Sequence, residues 1–311
     1  MLIPAKNLGF RFASMLLLFN SDRTIVQAID NGGEYVEKIF VGYSPYPWTR
    51  YNSKARDKFV NKSDKEILKK SKYYSKIELV EGVWDSDEGQ RNEIVKMARD
   101  QGFDYLVFQD ADEFYSADDW RKNFEGITRN PDYMIYQAPW INFWKSTRFV
   151  LVSREHLGIK NTIFTTCSAF AMNLKKEPET KLTFARVFPT KNVFRLTGLC
   201  FHLSYVLSDE EVFIKIGTWG HSHQVNKNWF KWKWLAWHPC KRYLNPISSA
   251  EWVSAVPYTG TLPSELADFL NPTHVSISLT WYDRLLEFGA DMFSLGSYQV
   301  KQWRSRMTSK K

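Results

Sequence analysis

Three acids, Asp110, Asp112 and Glu113, end an apolar run, in a stretch 103–115 that reads FDYLVFQDADEFY. Alternate residues at a strand end point to the same side, so Asp110 and Asp112 can face one site while Ala111 turns away. Two carboxylates that close repel each other, and the repulsion raises the pKa of one of them. A divalent cation relieves it. Oxygen-only ligands suit Mg²⁺ or Mn²⁺, and Mg²⁺ usually sits on one or two carboxylates and on substrate phosphates. The plainer alternative is that acids end a strand and cap the next helix, as Asp118 or Asp119 before Trp120 would.

The elements around these acids must hold them in place. Residues 105–109 are β-rich and apolar, as in the centre of a sheet covered on both faces. Before them, 87–102 reads DEGQRNEIVKMARDQG. Asp87 is the expected cap, Gln90 the expected partner in a capping box, and Gly102 the expected stop. Ile94, Val95 and Ala98 share one face. The order is capped helix, tight turn, buried strand, then acids at the carboxyl end of the strand. In open α/β sheets that end is where ligands bind.

Similar strand-like runs recur at 14–19, 38–41, 76–80, 133–138, 149–153 and 167–172, with helical patterns at 24–31 and 65–71 between the early ones. This alternation predicts an α/β fold with a mostly parallel central sheet and helices on both faces. After about residue 205 the texture changes to helices, tryptophans and prolines. The expected division is therefore an α/β domain over 1–205 and a helical, aromatic-rich extension over 206–311.

The chain has 311 residues, 44% hydrophobic and 24% charged, which is ordinary for a globular protein with a sizeable core. No segment resembles a signal peptide, and no apolar stretch is long enough to span a bilayer. The expected location is the cytoplasm. Cys167, Cys200 and Cys240 have no metal-ligand spacing and read as small core residues in a reducing compartment. A net charge of +8 suits an anionic partner, although a solvated lysine face at 57–76 and in the 301–311 tail accounts for much of it. The lysines are dispersed and no nucleic-acid motif appears, which ranks nucleic acid last among such partners.

Residues 84–92 read WDSDEGQRN, followed by a helix and then strand-DADEF. Together these resemble nucleotide-sugar glycosyltransferases of the GT-A fold, in particular the family 2-like group, over roughly residues 13–205. A second landmark, Arg186–Phe188 followed by 193–205 (VFRLTGLCFHLSY), is similar to the strand ending in His that such enzymes carry. The resemblance implies a Rossmann-like three-layer sandwich, a nucleotide-sugar donor, a glycan or other hydroxyl acceptor, and Mn²⁺ or Mg²⁺ held by Asp110, Asp112 and His202. A core histidine is the alternative for His202. Asn20 and Asp22 stand where the family holds the base, and Glu88, Arg91 and Asp110 on the nucleotide-sugar side. For Arg91 the alternative is an exposed helix arginine. Glu113 is implied near the donor sugar. The acid-rich turn that ends the family's second strand is replaced by 39–48 (IFVGYSPYPW), where Tyr43 or Trp48 can stack on a base or simply build a proline-aromatic turn.

An inverting transfer needs a general base for the acceptor hydroxyl. Asp209 is the candidate, with helix N-cap as its alternative. Trp229–Trp237 interleaves with lysines and has three readings: core packing, an acceptor platform, or peripheral membrane contact. His221 and His223 read as a turn or helix-lining pair. The function expected overall is metal-dependent sugar transfer by a hexosyltransferase. The alternative is a non-catalytic glycan-binding or membrane-docking protein on the same fold.

Overall fold

The computed structural model describes residues 9–50, 52–154, 161–184, 186–219, 221–267 and 269–308. Four parallel strands form its N-terminal half: β1 (Phe12–Leu18), β2 (Lys38–Tyr43), β3 (Ile77–Glu81) and β4 (Tyr105–Phe108), in the order β3-β2-β1-β4. The connections carry α1 (Ile25–Gly32), the short α2 (Ala55–Lys58) and α3 (Asp87–Asp100). Beta-1 shows why the strands are buried on both faces. Phe12, Leu16 and Leu18 enter one apolar core, while Ala13 and Met15 enter the core on the opposite face. Helix α1 and α4 (Ala117–Arg129) cover the first face and α3 the second, which makes three layers.

Beyond β4 the sheet turns antiparallel. After the two-residue β5 (Glu113–Phe114) come β6 (Ile135–Trp144), β7 (Ser146–Arg154), β8 (Asn161–Thr162), β9 (Phe164–Asn173), β10 (Val193–Arg195), β11 (Cys200–Tyr205) and, after α5 (Asp209–Thr218), β12 (Trp252–Pro257). The long path runs β12-β7-β6-β9-β4, each pair antiparallel. The fold is thus α/β as expected, with parallel pairs among β1–β4 and again where β10 and β11 join β6. The segment after residue 205 is not a purely helical appendage: it supplies the edge strand β12 and ends in α6 (Trp281–Thr308).

The expected caps shift to neighbouring serines. Ser86 accepts from the Gly89 N–H and caps α3; Ser116 accepts from Asp119 and caps α4; Ser208 forms a full capping box with Glu211 on α5. Asp87, Asp118 and Asp209 are each released from that task. Gly102 does end α3 as expected, at φ +74°, where a side chain is strained. Cys200 is buried as expected, Cys240 is exposed, and the Cys167 side chain lies outside the described residues.

Tryptophans 229 and 234 are buried, packed with Trp144 and Tyr205 in a third apolar cluster. The packing reading of Trp229–Trp237 therefore holds. Trp232 and Trp237 are only partly buried, and Trp232 donates its indole N–H to Asp283.

Candidate active site

A cavity of about 400 Å³ opens at the carboxyl ends of β1, β2 and β4. Its walls include Asn20, Trp48, Glu88, Arg91, Asp110, Asp112, Arg186, His202 and Lys215. Gly42 at the end of β2 keeps this corner narrow: a Cβ there would lie 2.8 Å from Leu17 and 2.9 Å from Gln90.

The QRN step on α3 reaches three separate elements. Gln90 accepts the Trp48 indole N–H at 3.1 Å. Arg91 donates through Nε to Asp87 at 2.6 Å and through Nη2 to Asp110 at 2.9 Å. Asn92 pairs in both directions with the backbone of Leu182 and so pins the chain that leads to Arg186. Arg91 is buried, which excludes the exposed-arginine alternative, and its Nη1 has no hydrogen-bond partner among the described residues.

Arg186 is the residue that sequence reasoning passed over as a mere landmark. It is buried, and its Nη2 lies 2.7 Å from Asp110 and 2.5 Å from Glu113. Its Nη1 takes the other Glu113 oxygen at 3.1 Å. Burial works against charge on Asp110, but Arg186 and Arg91 outweigh it and hold the carboxyl down at about 2. Two cations therefore neutralise Asp110. Glu113 is fully buried, does not line the cavity, and is pushed up to about 7 by burial against the pull of Arg186. Its expected place beside the donor sugar is not supported. It braces the arginine instead.

Asp112 differs. Strand pairing sets His202 opposite Glu113 on one side and Asn142 on the other. The ring is fixed by a 2.6 Å contact between Nδ1 and Asn142 Oδ1, where Nδ1–H donates because the amide oxygen can only accept. Nε2 then faces Asp112 at 3.6 Å. Lys215, on α5, lies 3.2 Å from the other Asp112 oxygen and donates to Ser204 Oγ at 2.7 Å. Burial opposes ionisation of Asp112, yet the Lys215 ammonium beside it holds its carboxyl far below the usual range. One ligand atom each of Asp112, Glu113 and His202 lie within 4.8 Å of one another, a spacing that suits one metal ion. The sequence signal for Lys215 was there: a lone lysine inside the apolar stretch Val212–Trp219.

The other expected residues scatter. Glu88 is buried, lines the cavity and pairs with Arg50. Asn20 lines the cavity, but its side chain bonds the backbone of Val60 and Lys62. Asp22 does not line it and accepts from the Asp64 N–H. Asp209 lies outside the cavity walls, saturated by Trp234 Nε1 at 2.7 Å, His274 Nδ1 at 3.0 Å and the Val275 N–H at 2.8 Å. It is neither the cap nor a group facing an acceptor. Trp48 lines the cavity and Tyr43 does not, while His221 joins its rim without forming a metal pair with the exposed His223.

No family model and no curated relative matches the chain. Among solved structures, it is similar to a mycobacterial protein at 11% identity, covering 62% of this chain and 68% of that one, with a TM-score of 0.39. The inositol-1-phosphate CTP transferase of T. maritima matches at 9% identity over 68% of this chain and 97% of that one, with a TM-score of 0.35. TarS of S. aureus matches at 12% identity, with a TM-score of 0.28, over 44% of this chain and only 22% of its own length.

Proposed function

We propose that the cavity binds a nucleotide-activated sugar and transfers the sugar to an acceptor hydroxyl, as a hexosyltransferase using Mn²⁺ or Mg²⁺. The observation that supports this most is the convergence of Asp112, His202, Lys215 and Arg91 on one cavity at the strand ends, Arg91 with a buried Nη1 that has no hydrogen-bond partner among the described residues. A buried N–H without an acceptor is costly, and a phosphate oxygen entering the cavity would satisfy it.

The donor set fits a divalent ion. Asp112 offers a carboxylate and His202 an Nε2 lone pair, fixed by the Asn142 contact behind it. Glu113 is within reach, but both its oxygens are bound by Arg186, so Asp112 and His202 would hold the ion. When bound, the ion offsets the charge that develops on a leaving diphosphate. Lys215 adds a mobile ammonium beside the same oxygens, and Arg91 a fixed guanidinium. Trp48, oriented by Gln90, offers a flat face for a nucleobase.

One observation favours a second reading, non-catalytic glycan binding. The carboxylates that line the cavity are all engaged: Asp87 by Arg91, Glu88 by Arg50, Asp110 by two arginines, Asp112 by Lys215, and Glu211 by the Ser208 N–H. None is left as an unpaired general base for an acceptor.

The experiment is equilibrium binding of UDP and GDP with and without Mn²⁺, followed by hydrolysis of a panel of nucleotide sugars. Mn²⁺-dependent binding that Asp112→Asn weakens at least about tenfold is the expected result. Glycan binding that survives both EDTA and Asp112→Asn, with no donor turnover, would assign the cavity to the second reading.

A further inference from the structure

Helix α6 is built inside out. Its acids face the protein: Asp283, Glu287 and Asp291 pair with Lys231, Lys241 and Lys233 at 2.7, 2.9 and 2.7 Å. Lys233 is itself buried and also lies 2.8 Å from Glu287. Ser294 and the buried Tyr298 continue this inner stripe at helical spacing.

The opposite face is apolar and open. Trp281, Leu285, Phe288, Phe293, Val300 and Trp303 are all exposed, Phe293 to 79% and Trp281 to 77%. On a helix of 3.6 residues per turn these positions lie on the side opposite Asp283, Glu287 and Asp291. The axis is about 42 Å long at 1.5 Å per residue. A soluble surface rarely carries so many large apolar side chains in one band.

Charge selects the occupant. All three acids of α6 are turned inward and neutralised, whereas Arg284 and Lys301 are exposed. After Asp291 the sequence has no acid, only Lys301, Arg304, Arg306, Lys310 and Lys311. Lys227 and Lys301 also line a cavity of about 430 Å³ that shares Phe293 with the apolar face. An aromatic and aliphatic face on a helix whose acids are paired inward, and whose exposed charges Arg284 and Lys301 are cationic, matches the boundary of an anionic bilayer. No helix among the described residues is long and apolar enough to cross one, so α6 would lie in the surface plane.

The rest of the chain holds the helix in that attitude. Asn271 bonds Thr147, His274 and Val275 bond Asp209, and the Ile277 N–H donates to Leu235. Thr280 caps α6 through the Asp283 N–H. We propose that α6 docks this protein on anionic lipid surfaces, with Phe288 and Phe293 in the acyl boundary and Arg284 and Lys301 at the headgroups. The inference is independent of the donor chemistry in the strand-end cavity.

The test is flotation of the full chain with vesicles of phosphatidylcholine alone or in equal parts with phosphatidylglycerol. The expected result is binding to the anionic vesicles only, weakened by salt, with a blue shift of tryptophan emission. Phe288→Ser and Phe293→Ser should each lower partitioning about tenfold. Arg284→Glu with Lys301→Glu should lower it on the order of tenfold or more. These side chains are exposed, so an unchanged melting temperature separates lost docking from lost folding. No binding by the unaltered chain overturns the proposal, as does binding that the charge reversal leaves intact. A vesicle-independent dimer that Phe293→Ser dissolves, without lipid binding, would assign the face to a second copy.

Discussion

Two regions bury acids against bases, and they do opposite things with them. At the strand ends, Asp110, Asp112 and Glu113 meet Arg91, Arg186, Lys215 and His202 around an open cavity. Under α6, Asp283 meets Lys231, while Glu287 and Asp291 share Lys233 and Lys241 meets Glu287. The first cluster keeps unspent ligand capacity, in His202 Nε2 and Arg91 Nη1. The second spends its acids on fastening a helix. An acidic run marks a site for chemistry only when the tertiary structure leaves lone pairs or N–H groups facing a space.

The largest effect should come from Arg186→Met. It strands Glu113 and leaves Asp110 with Arg91 alone, and breaking such a buried pair costs about 3–5 kcal/mol. Urea unfolding monitored by circular dichroism measures it; a loss under about 1 kcal/mol would mean that the strand-end cluster is as dispensable as a surface pair. Next comes Lys233→Met, which leaves Asp291 without its lysine while Lys241 still serves Glu287. About 3 kcal/mol is expected, expressed locally as release of α6 and faster proteolysis in the 269–280 segment. Equal global unfolding in both variants would erase the distinction between site and fastening.

Asn142→Ala sharpens the cavity side. It removes the group that orients His202 but touches no phosphate, so Mn²⁺ affinity should fall about 10–100-fold with stability changed little. Isothermal titration with Mn²⁺ reads this directly. The smallest effect concerns Lys145, buried beside Trp234 and Asp209. Burial lowers its ammonium to about 8, against a pull upward from Asp209. Between pH 8 and its ordinary 10.5, the unfolded chain holds a proton that the folded chain has lost. This group's contribution therefore makes stability rise with pH across that window, and below pH 8 its burial cost is present in full. Lys145→Met should flatten the rise in melting temperature between pH 8 and 10.

Much of the N-terminal α/β half was legible because local rules suffice for it. An apolar run between turn signals is a strand, and acids after it fall at the end where cavities form. The runs around 14–19, 38–41 and 105–109 became β1, β2 and β4 with ends shifted by a few residues. The helix caps misled in one consistent way. Ser86, Ser116 and Ser208 each stand close before the acid expected to cap, and each took the role. A serine hydroxyl satisfies the same N–H without burying a charge, which frees Asp87 to hold Arg91 and Asp209 to anchor the segment before α6.

The sequence by itself determined the α/β alternation, the acid corner at the end of β4, and the pairing of that corner with the QRN helix. Only the tertiary structure decided that Arg186 neutralises Asp110, that Glu113 is buried behind it, that Lys215 joins Asp112, and that the tryptophans of 229–237 face inward while α6 turns outward. The reason is distance along the chain. Arg186 lies 73 residues from Glu113, and Lys215 lies 103 from Asp112. Periodicity describes what a residue's own neighbours do; which charges meet across such separations depends on how the sheet and its helices close.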